Sequence, residues 1–443
     1  MRDYKISVIV PCLNGELYIR KCLNSIIDQT FQDLEILVVD AFSTDNTRLI
    51  VEEYIKKDNR ISLLDDTRKS TGYAKNLGIL KARGDYIAIV EPDDYIAIDM
   101  MEKLYRVAID TSADIVKGNF NSTISDDGRE YFFPKSTSVN YRDYNVLINP
   151  LEYQDAFFWV KNEWLGIYKR SFLLDHNIVH NETKGAAFQD VGFWFLSFAY
   201  ARKVVLIRDE LYFYRRDNEN ASMKNPNKVF DTMIEYEYIF GRLHENVELW
   251  NDIKEIYYCC LFKDNLSVLK RISSSSRIGL INTIRDKMLF AKSEGNILEE
   301  LYGDDLIYLK MLIDDPNSFN DEITRREETC LLKQKNIVDK LKEYKDIIVF
   351  GAGSYGCNLH YLLEKQGVKP RAFSDNDITK TGKTKNGMKV ISLHDCETLY
   401  GNPLYVIASK NKNEEIKMSL EKKRIEKDRI MTIVLEDILK EII

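Results

Sequence analysis

The sequence predicts an α/β fold whose first half is a mostly parallel sheet with helices on both faces. Short runs rich in β-branched residues alternate with segments whose apolar residues recur at steps of three and four. Alternation of this kind favours a parallel sheet that is covered on each side. A smaller block of the same type follows at about 346–443, and a helical stretch separates the two blocks.

The elements follow one another in a regular order. The predicted strands of the first block are ISVIV (6–10), EILVVD (35–40), ISLLD (61–65), YIAIV (86–90) and DIVKG (114–118). The predicted helices between them are ELYIRKCLNSIIDQ (16–29), TRLIVEEYIKK (47–57) and TGYAKNLGILKAR (71–83). Residues 121–223 are mixed and rich in aromatic side chains, and 226–343 have a helical pattern. We therefore expect three parts, at 1–225, 226–343 and 344–443.

The bulk composition is that of a soluble globular protein. A chain of 443 residues is too long for one ordinary core. The formal net charge of -7 argues against nucleic-acid binding, which needs a basic surface. The seven cysteines have no CxxC spacing, which indicates reduced thiols. The first residues lack a signal-like apolar run. We expect a cytoplasmic protein, with peripheral contact at the inner face of the cell membrane left open.

Polar residues follow four of the predicted strands where each strand ends. They are Pro11–Asn14, Asp40, Asp65–Asp66 and Glu91–Asp94. In parallel α/β sheets, ligands bind beyond the carboxyl ends of the strands. The four polar strand ends therefore predict one binding site at this edge of the sheet.

The last of these strand ends, EPDD at 91–94, places three acidic residues within four positions. Carboxylates this close either point into water or share a cation, because their charges repel one another. The segment is thus either a solvated turn or a site for a metal ion.

Four segments in order resemble the N-terminal pattern of family 2 glycosyltransferases, which have the GT-A nucleotide-diphospho-sugar transferase fold. They are SVIVPCLN, LVVDAFSTDNT, STGYAKNLGILKARGDYIAIVEPDD and FQDVGFW, and the resemblance covers roughly residues 4–223. It implies an inverting sugar transfer that uses Mn²⁺ or Mg²⁺, because a cation must stabilise a departing diphosphate.

The resemblance assigns the metal to Asp93. Glu91 and Asp94 would contact the ribose or waters of the metal, since hard cations need only one or two protein carboxylates. Glu91 and Pro92 depart from the family pattern, in which Asp and a small residue are usual.

The resemblance assigns the nucleobase to the first two loops. Asp40 would accept the N3 proton of uracil, and Pro11 and Leu13 would line the base pocket with backbone atoms. Ala41 and Phe42 stand where the family has Asp and Gly, and Phe42 could form a stacking wall. A strand-end Asp that makes an Asx turn is the alternative interpretation of Asp40.

Asp190 matches the general base that takes a proton from the acceptor hydroxyl. Its alternative role is an N-cap for the helix that follows. Lys75, Arg68 and Arg215 are candidates for the diphosphate, and Lys75 stands where the family commonly has Arg. Lys75 and Arg68 could instead be ordinary solvated side chains.

The last block carries GAGSYG (351–356), a full G-x-G-x-x-G between a predicted strand and a predicted helix. Gly351, Gly353, Gly356 and the later acid Asp375 meet the pattern of a dinucleotide site. The block is short, and it resembles small Rossmann-like domains joined to sugar-modifying enzymes. We interpret it as an accessory ligand-binding or assembly module, with NAD binding and a purely structural turn as alternatives.

These observations predict a metal-dependent glycosyltransferase. The donor would be a nucleotide sugar with UDP, and the acceptor a saccharide or lipid-linked sugar in cell-surface polysaccharide synthesis. An NAD-dependent oxidoreductase and a non-catalytic sugar-binding protein are the rival interpretations. For the helical middle, three roles stay open: docking the acceptor, touching a membrane surface, or joining subunits of a homo-oligomer.

Overall fold

The computed structural model describes residues 4–186, 188–219, 228, 230–295, 301, 303–408 and 413–433. The chain forms two compact units, and one of them takes a segment from the middle of the other. The first unit comprises residues 1–120 and 136–321, and the second comprises 121–135 and 322–443. The predicted boundary at 225/226 lies outside the described residues, and the three-part division stays a prediction.

The larger sheet and its helices follow the predicted alternation. Its strands are β1 (Ile6–Cys12), β2 (Leu34–Asp40), β3 (Ile61–Asp65), β4 (Tyr86–Ile89), β5 (Tyr95–Ile96), β6 (Ile115–Asp126), β7 (Arg129–Lys135), β8 (Leu147–Ile148), β9 (Gly166–Lys169) and β10 (Val204–Arg215). The helices along this stretch are α1 (Ile19–Ile27), α2 (Thr47–Ile55), α3 (Thr71–Lys81), α4 (Met100–Thr111), α5 (Arg170–Asp175) and α6 (Gln189–Tyr200).

The strand order is β3-β2-β1-β4-β9-β6-β10-β5, with β7 on β6 and β8 on β10. The pairs β1–β2, β1–β4 and β2–β3 are parallel, as predicted. Their register sets Cys12 beside Asp40, and Asp40 beside Asp65. The carboxyl ends of these strands therefore lie side by side at one edge. The later pairs β4–β9, β6–β9 and β10–β5 are antiparallel.

Helices cover both faces of this sheet, which confirms the predicted fold class. The even-numbered residues of β1 belong to a core that also holds the buried faces of α1, α2 and α4. On the other face, α3 lies so close that a Cβ added to Gly78 would be 2.5 Å from Ile9 Cγ2. Alternate side chains of β1 thus pack against helices on opposite sides.

The stretch after β10 is helical, as the sequence pattern predicts. Its helices are α7 (Asp231–His244), α8 (Val247–Leu269), α9 (Ser274–Ser293), α10 (Asp304–Asp314) and α11 (Pro316–Leu341). Within the described ranges, no helix is both long enough and apolar enough to cross a membrane. The seven cysteines, all of them described, form no disulfides, and six of them are buried, as expected for reduced cysteines in a core.

The second unit has its own parallel sheet, in the order β12-β11-β15-β16. Its elements are β11 (Ile347–Phe350), α12 (Ser354–Lys365), β12 (Ala372–Ser374), β13 (Thr384–Lys385), β14 (Met388–Lys389), α13 (Leu393–Tyr400), β15 (Leu404–Ala408), α14 (Asn413–Lys422) and β16 (Ile430–Ile433). The hairpin strand β7 adds Tyr131 and Phe133 to the apolar core of this unit.

Candidate functional site

The loops that follow β1 and β2 are bonded to each other. The Asn14 N–H donates to Ser43 Oγ (2.9 Å), and the Thr44 N–H donates to Asn14 Oδ1 (2.8 Å). The Gly15 N–H donates to Thr47 Oγ1 (2.7 Å). These hydrogen bonds between backbone and side-chain groups thus hold the two loops together.

Asp40 ends β2 and is fully buried. Its carboxylate accepts from the Ser43 hydroxyl (2.5 Å) and from the Ser43 N–H (3.2 Å), and Arg48 lies 3.5 Å away. Asp40 therefore makes the local turn that the alternative interpretation requires. Phe42, inside this turn, has a left-handed φ of 57° and is half-exposed. Glycine would favour this backbone conformation, which fits its usual place in the family pattern.

The acidic turn at 91–94 is held from the neighbouring strand β10. Asp94 is buried, and it accepts from the Tyr212 hydroxyl (2.8 Å) and from the Arg215 N–H (2.7 Å). The Tyr212 hydroxyl also accepts from the Glu91 N–H (3.0 Å). Burial, with the charge of Asp93, raises the pKa of Asp94 well above its usual range. Asp94 therefore supports the shape of the turn.

Asp93 is the acid of this turn that offers a partly exposed carboxylate with few partners. Its Oδ2 accepts from Asn218 Nδ2 (2.8 Å). Within the described ranges, no group of three or more His, Cys, Asp or Glu side chains could enclose a metal ion. One carboxylate suits a hard cation that keeps several waters and binds phosphate oxygens as well. Asp93 therefore suits an ion that also binds water and phosphate oxygens. The described residues do not form a site in which protein side chains alone surround the ion.

Lys75, one of the candidates for the diphosphate, is buried between two carboxylates and is not a solvated side chain. Its Nζ lies 2.8 Å from Glu91 Oε1 and also contacts Glu163. Burial by itself would lower the pKa of Lys75, but Glu163 and Glu91 raise it. Glu163 is fully buried and also contacts His180. Burial would raise the pKa of Glu163, but Lys75 and His180 bring it down to about 2.

Asp190 lies in the first turn of α6. Its Oδ1 accepts from the Val191 N–H (3.1 Å), and the cap position before the helix is Phe188, so Asp190 is not the N-cap. Burial, followed by the charge of Glu163, raises the pKa of Asp190 to about 7, although Lys75 opposes the shift. A carboxyl group that titrates near neutral pH suits a general base.

The other predicted contacts lie in different surroundings. Arg68 pairs with Glu182 and stacks on the Tyr73 ring, 4.3 Å from its centroid. Arg215 donates to the Asp93 carbonyl (3.0 Å). Pro11 is buried within β1, whereas Leu13 is half-exposed in the loop that follows. The structure thus brings Arg215 to the acidic turn and pairs Arg68 elsewhere.

Sequence reasoning missed Glu163 and His180. The sequence signal for Glu163 is its place in KNEWLG (161–166), directly before the apolar residues that lead into β9. An acid buried at such a position requires a partner. Nothing local points to His180, because its partners lie about 17 and 104 positions away.

The glycine loop of the second unit is shaped by its own backbone. Gly351 has a φ of 112°, and a Cβ on Gly356 would lie 1.7 Å from the Gly351 carbonyl oxygen. Nothing lies within 4 Å of a Cβ added to Gly353. Asp375 accepts from the Ala352 N–H (2.8 Å) and from Lys380 Nζ (2.8 Å). The acid expected at a ribose therefore holds the loop itself.

Comparison with known proteins gives the family. A family model described as Glycosyl transferase family 2 matches residues 7–188, and one described as C2185-like, N-terminal, matches 343–431. Glycosyltransferase GlyG of Streptococcus pneumoniae serotype 4 is 30% identical over 70% of this chain and 96% of its own. Putative glycosyltransferase EpsH of Bacillus subtilis is 29% identical over 65% of this chain and 83% of its own.

A third relative is the poly(ribitol-phosphate) beta-N-acetylglucosaminyltransferase TarS of Staphylococcus aureus. It is 28% identical over 52% of this chain and 39% of its own length. A crystal structure of S. aureus TarS 1–349 is 20% identical, covers 73% of this chain and 92% of that one, and has a TM-score of 0.49. Because GlyG is matched along nearly its whole length at 30% identity, the chain belongs to the family 2 glycosyltransferases of the GT-A fold and is a glycosyltransferase.

Proposed function

We propose that the protein transfers a sugar from a nucleotide-diphosphate donor, with inversion at the anomeric carbon. The donor we propose is a UDP-sugar. The acceptor would be a saccharide or lipid-linked sugar of a cell-surface polysaccharide. TarS is named as a poly(ribitol-phosphate) beta-N-acetylglucosaminyltransferase, which supports transfer of a sugar to a polymer. The observation that carries the proposal is that β2, β1 and β4 are parallel neighbours, so that Asp40 and the 91–94 turn lie at the same edge of the sheet, with Glu91 among the charges that raise the pKa of Asp190.

In this proposal each acid has its own task. Asp40 accepts the N3–H of uracil from the end of β2. Asp93 would hold Mn²⁺ or Mg²⁺, and the ion would supply positive charge to balance the departing diphosphate. Asp190 takes the proton of the acceptor hydroxyl, on the side opposite the leaving group. Arg215 lies beside the acidic turn, bonded to the Asp93 carbonyl and paired with Asp217, and in this proposal its guanidinium contributes positive charge near the diphosphate.

The second unit would serve as an accessory module. Asp375, the acid that would bind a ribose in a dinucleotide site, is instead bonded to the loop backbone and to Lys380, which supports an accessory role over a catalytic NAD site. Ligand binding by Gly351, Gly353 and Gly356 stays a prediction, as do cytoplasmic location, membrane contact and self-association.

The first experiment is a panel of nucleotide sugars tested for hydrolysis with Mn²⁺, comparing the wild type with Asp93→Asn. We expect this variant to lose about 100-fold or more of the metal-dependent donor turnover, because the ion loses its protein ligand. The matched control is Asp99→Asn, which removes a partly exposed carboxylate paired with Lys103. Undiminished turnover by Asp93→Asn would contradict the metal assignment.

A further inference from the structure

A buried cluster of charged side chains lies behind the acidic turn, and it joins four separate segments. Lys75 comes from α3, Glu91 from the turn after β4, Glu163 from the segment before β9, and His180 from the segment after α5. Lys75 contacts both glutamates, and Glu163 also contacts His180. Lys75, Glu163 and His180 are each at most 3% exposed.

The charges of this cluster fix Lys75 in place. Burial lowers the pKa of His180, although Glu163 opposes the shift. Lys75 is in direct contact with both carboxylates. If its ammonium moved away to a phosphate, the fully buried Glu163 would lose one of the two side chains that it contacts, and breaking a buried ion pair is strongly destabilising. Lys75 thus remains with Glu163 and holds Glu91 through its second contact.

The same cluster reaches the helix that carries Asp190. The His180 ring stacks on Phe193 with centroids 4.1 Å apart and planes 2° apart, and Phe193 lies one turn after Asp190 on α6. The backbone of His180 is also bonded to α3, since its backbone N–H donates to Asn76 Oδ1 (2.8 Å) and its carbonyl accepts from Asn76 Nδ2 (2.9 Å). The buried carboxylate of Glu163 therefore connects the acidic turn, through Lys75, with α6, through His180.

We propose that Glu163 is a positioning residue for sugar transfer: it holds Lys75 against Glu91 and His180 against α6, and so fixes the metal-binding turn relative to Asp190. This inference rests on the proposed function. It assigns Lys75 to Glu91 rather than to a phosphate. Glu163 itself touches neither donor nor metal, and acts only through these two neighbours.

The proposal predicts a particular kinetic signature. The nucleobase pocket is built from the loops after β1 and β2, which Glu163 does not contact. Loss of Glu163 should therefore leave UDP affinity nearly unchanged. It should lower kcat, because the turn and the base no longer hold their relative positions, and small displacements of this kind cost large factors in rate.

The experiment compares Glu163→Gln with a matched control, Asp264→Asn. Asp264 on α8 also binds one lysine, Lys161 (2.8 Å), and one further donor, the Tyr236 hydroxyl of α7 (2.6 Å). Donor hydrolysis is measured at pH 8.5 with Mn²⁺, so that Asp190 is unprotonated in each protein. UDP binding with Mn²⁺ is measured by calorimetry, and folding by circular dichroism.

We expect Glu163→Gln to lower kcat about tenfold or more, with UDP affinity within about threefold of wild type, and Asp264→Asn to keep kcat within about twofold. Equal kcat in folded Glu163→Gln and wild type would overturn the inference, as would an equal loss in the control. If Glu163→Gln does not fold, Glu163→Asp decides by the same criteria, since it keeps the charge and shortens the side chain. If the wild type itself shows no donor turnover, the proposed function is contradicted, and not only the role of Glu163.

Discussion

Asp190 is the residue whose protonation should govern the rate. Burial and the neighbouring Glu163 raise its pKa to about 7, and a general base must be unprotonated to act. Donor turnover should therefore rise about tenfold per pH unit below pH 7 and level off above it. The check is a pH profile of kcat/KM from 5.5 to 8.5.

Asp190→Asn should lose the dependence on pH together with about 10²–10⁴-fold of the rate. The control for this profile is Asp99→Asn, which changes a carboxylate paired with Lys103 and should keep the wild-type curve. A flat wild-type profile over the same range would remove Asp190 from the role of base.

Single residues also show why part of the site could be predicted. Asp40 is the last residue of the buried strand β2, and Asp93 lies in the turn after the buried strand β4, so a local pattern is enough to place them at the sheet edge. The environment of Lys75 could not be predicted in this way, because Glu163 is 88 positions away in the sequence. Local patterns identify which residues reach an edge, and long-range contacts determine which of them pair.

At the scale of elements, α3 must approach the segment that carries His180. A Cβ on Gly72 would lie 2.0 Å from the Asn181 carbonyl oxygen, and a backbone atom cannot turn away as a side chain can. Gly72→Ala should therefore lower the free energy of unfolding by about 2–3 kcal/mol, since added atoms in a close contact force the backbone apart. Urea unfolding followed by circular dichroism would measure it.

The control is Gly241→Ala in α7, where a new Cβ would meet nothing within 4 Å. This change should raise the free energy of unfolding by about 0.5–1 kcal/mol, because alanine loses less conformational entropy in a helix. Equal stability of the two variants would mean that α3 and the 180–181 segment are not in close contact.

The predicted and observed elements agree best where hydrophobic periodicity is strong. The strand predicted at 61–65 is Ile61–Asp65, and the helix predicted at 71–83 is Thr71–Lys81. The strand predicted at 114–118 runs much further, to Asp126, and pairs antiparallel with β9. Its pairing with β9 joins residues 49 to 53 positions apart, from Lys117↔Gly166 to Ile115↔Tyr168, and no local pattern contains such a partner. It also pairs with β7, which follows it directly in the chain.

At the scale of the whole molecule, a segment from the middle of the first unit completes the core of the second. Phe133 is fully buried there, and its ring centroid lies 5.5 Å from that of Tyr361. Phe133→Ala should destabilise the second unit by about 3–5 kcal/mol, because it leaves a cavity in that core. Hydrogen exchange of the amides in β11 and α12 would detect this loss of protection.

Phe290→Ala provides the comparison, since Phe290 is half-exposed on α9. Its effect should stay below about 1 kcal/mol. If the amides of β11 and α12 kept their protection in Phe133→Ala, the hairpin would not be part of the second core.

The sequence by itself determined the alternation of strands and helices, the family, and the acids that end the strands, because each depends on residues close together in the chain. The tertiary structure decided that Lys75 is held between Glu91 and Glu163, that Asp94 is buried under Tyr212, and that Asp375 binds its own loop. The physical reason is that burial and pairing set the charge and position of a polar group, and both depend on neighbours that only the folded chain brings near.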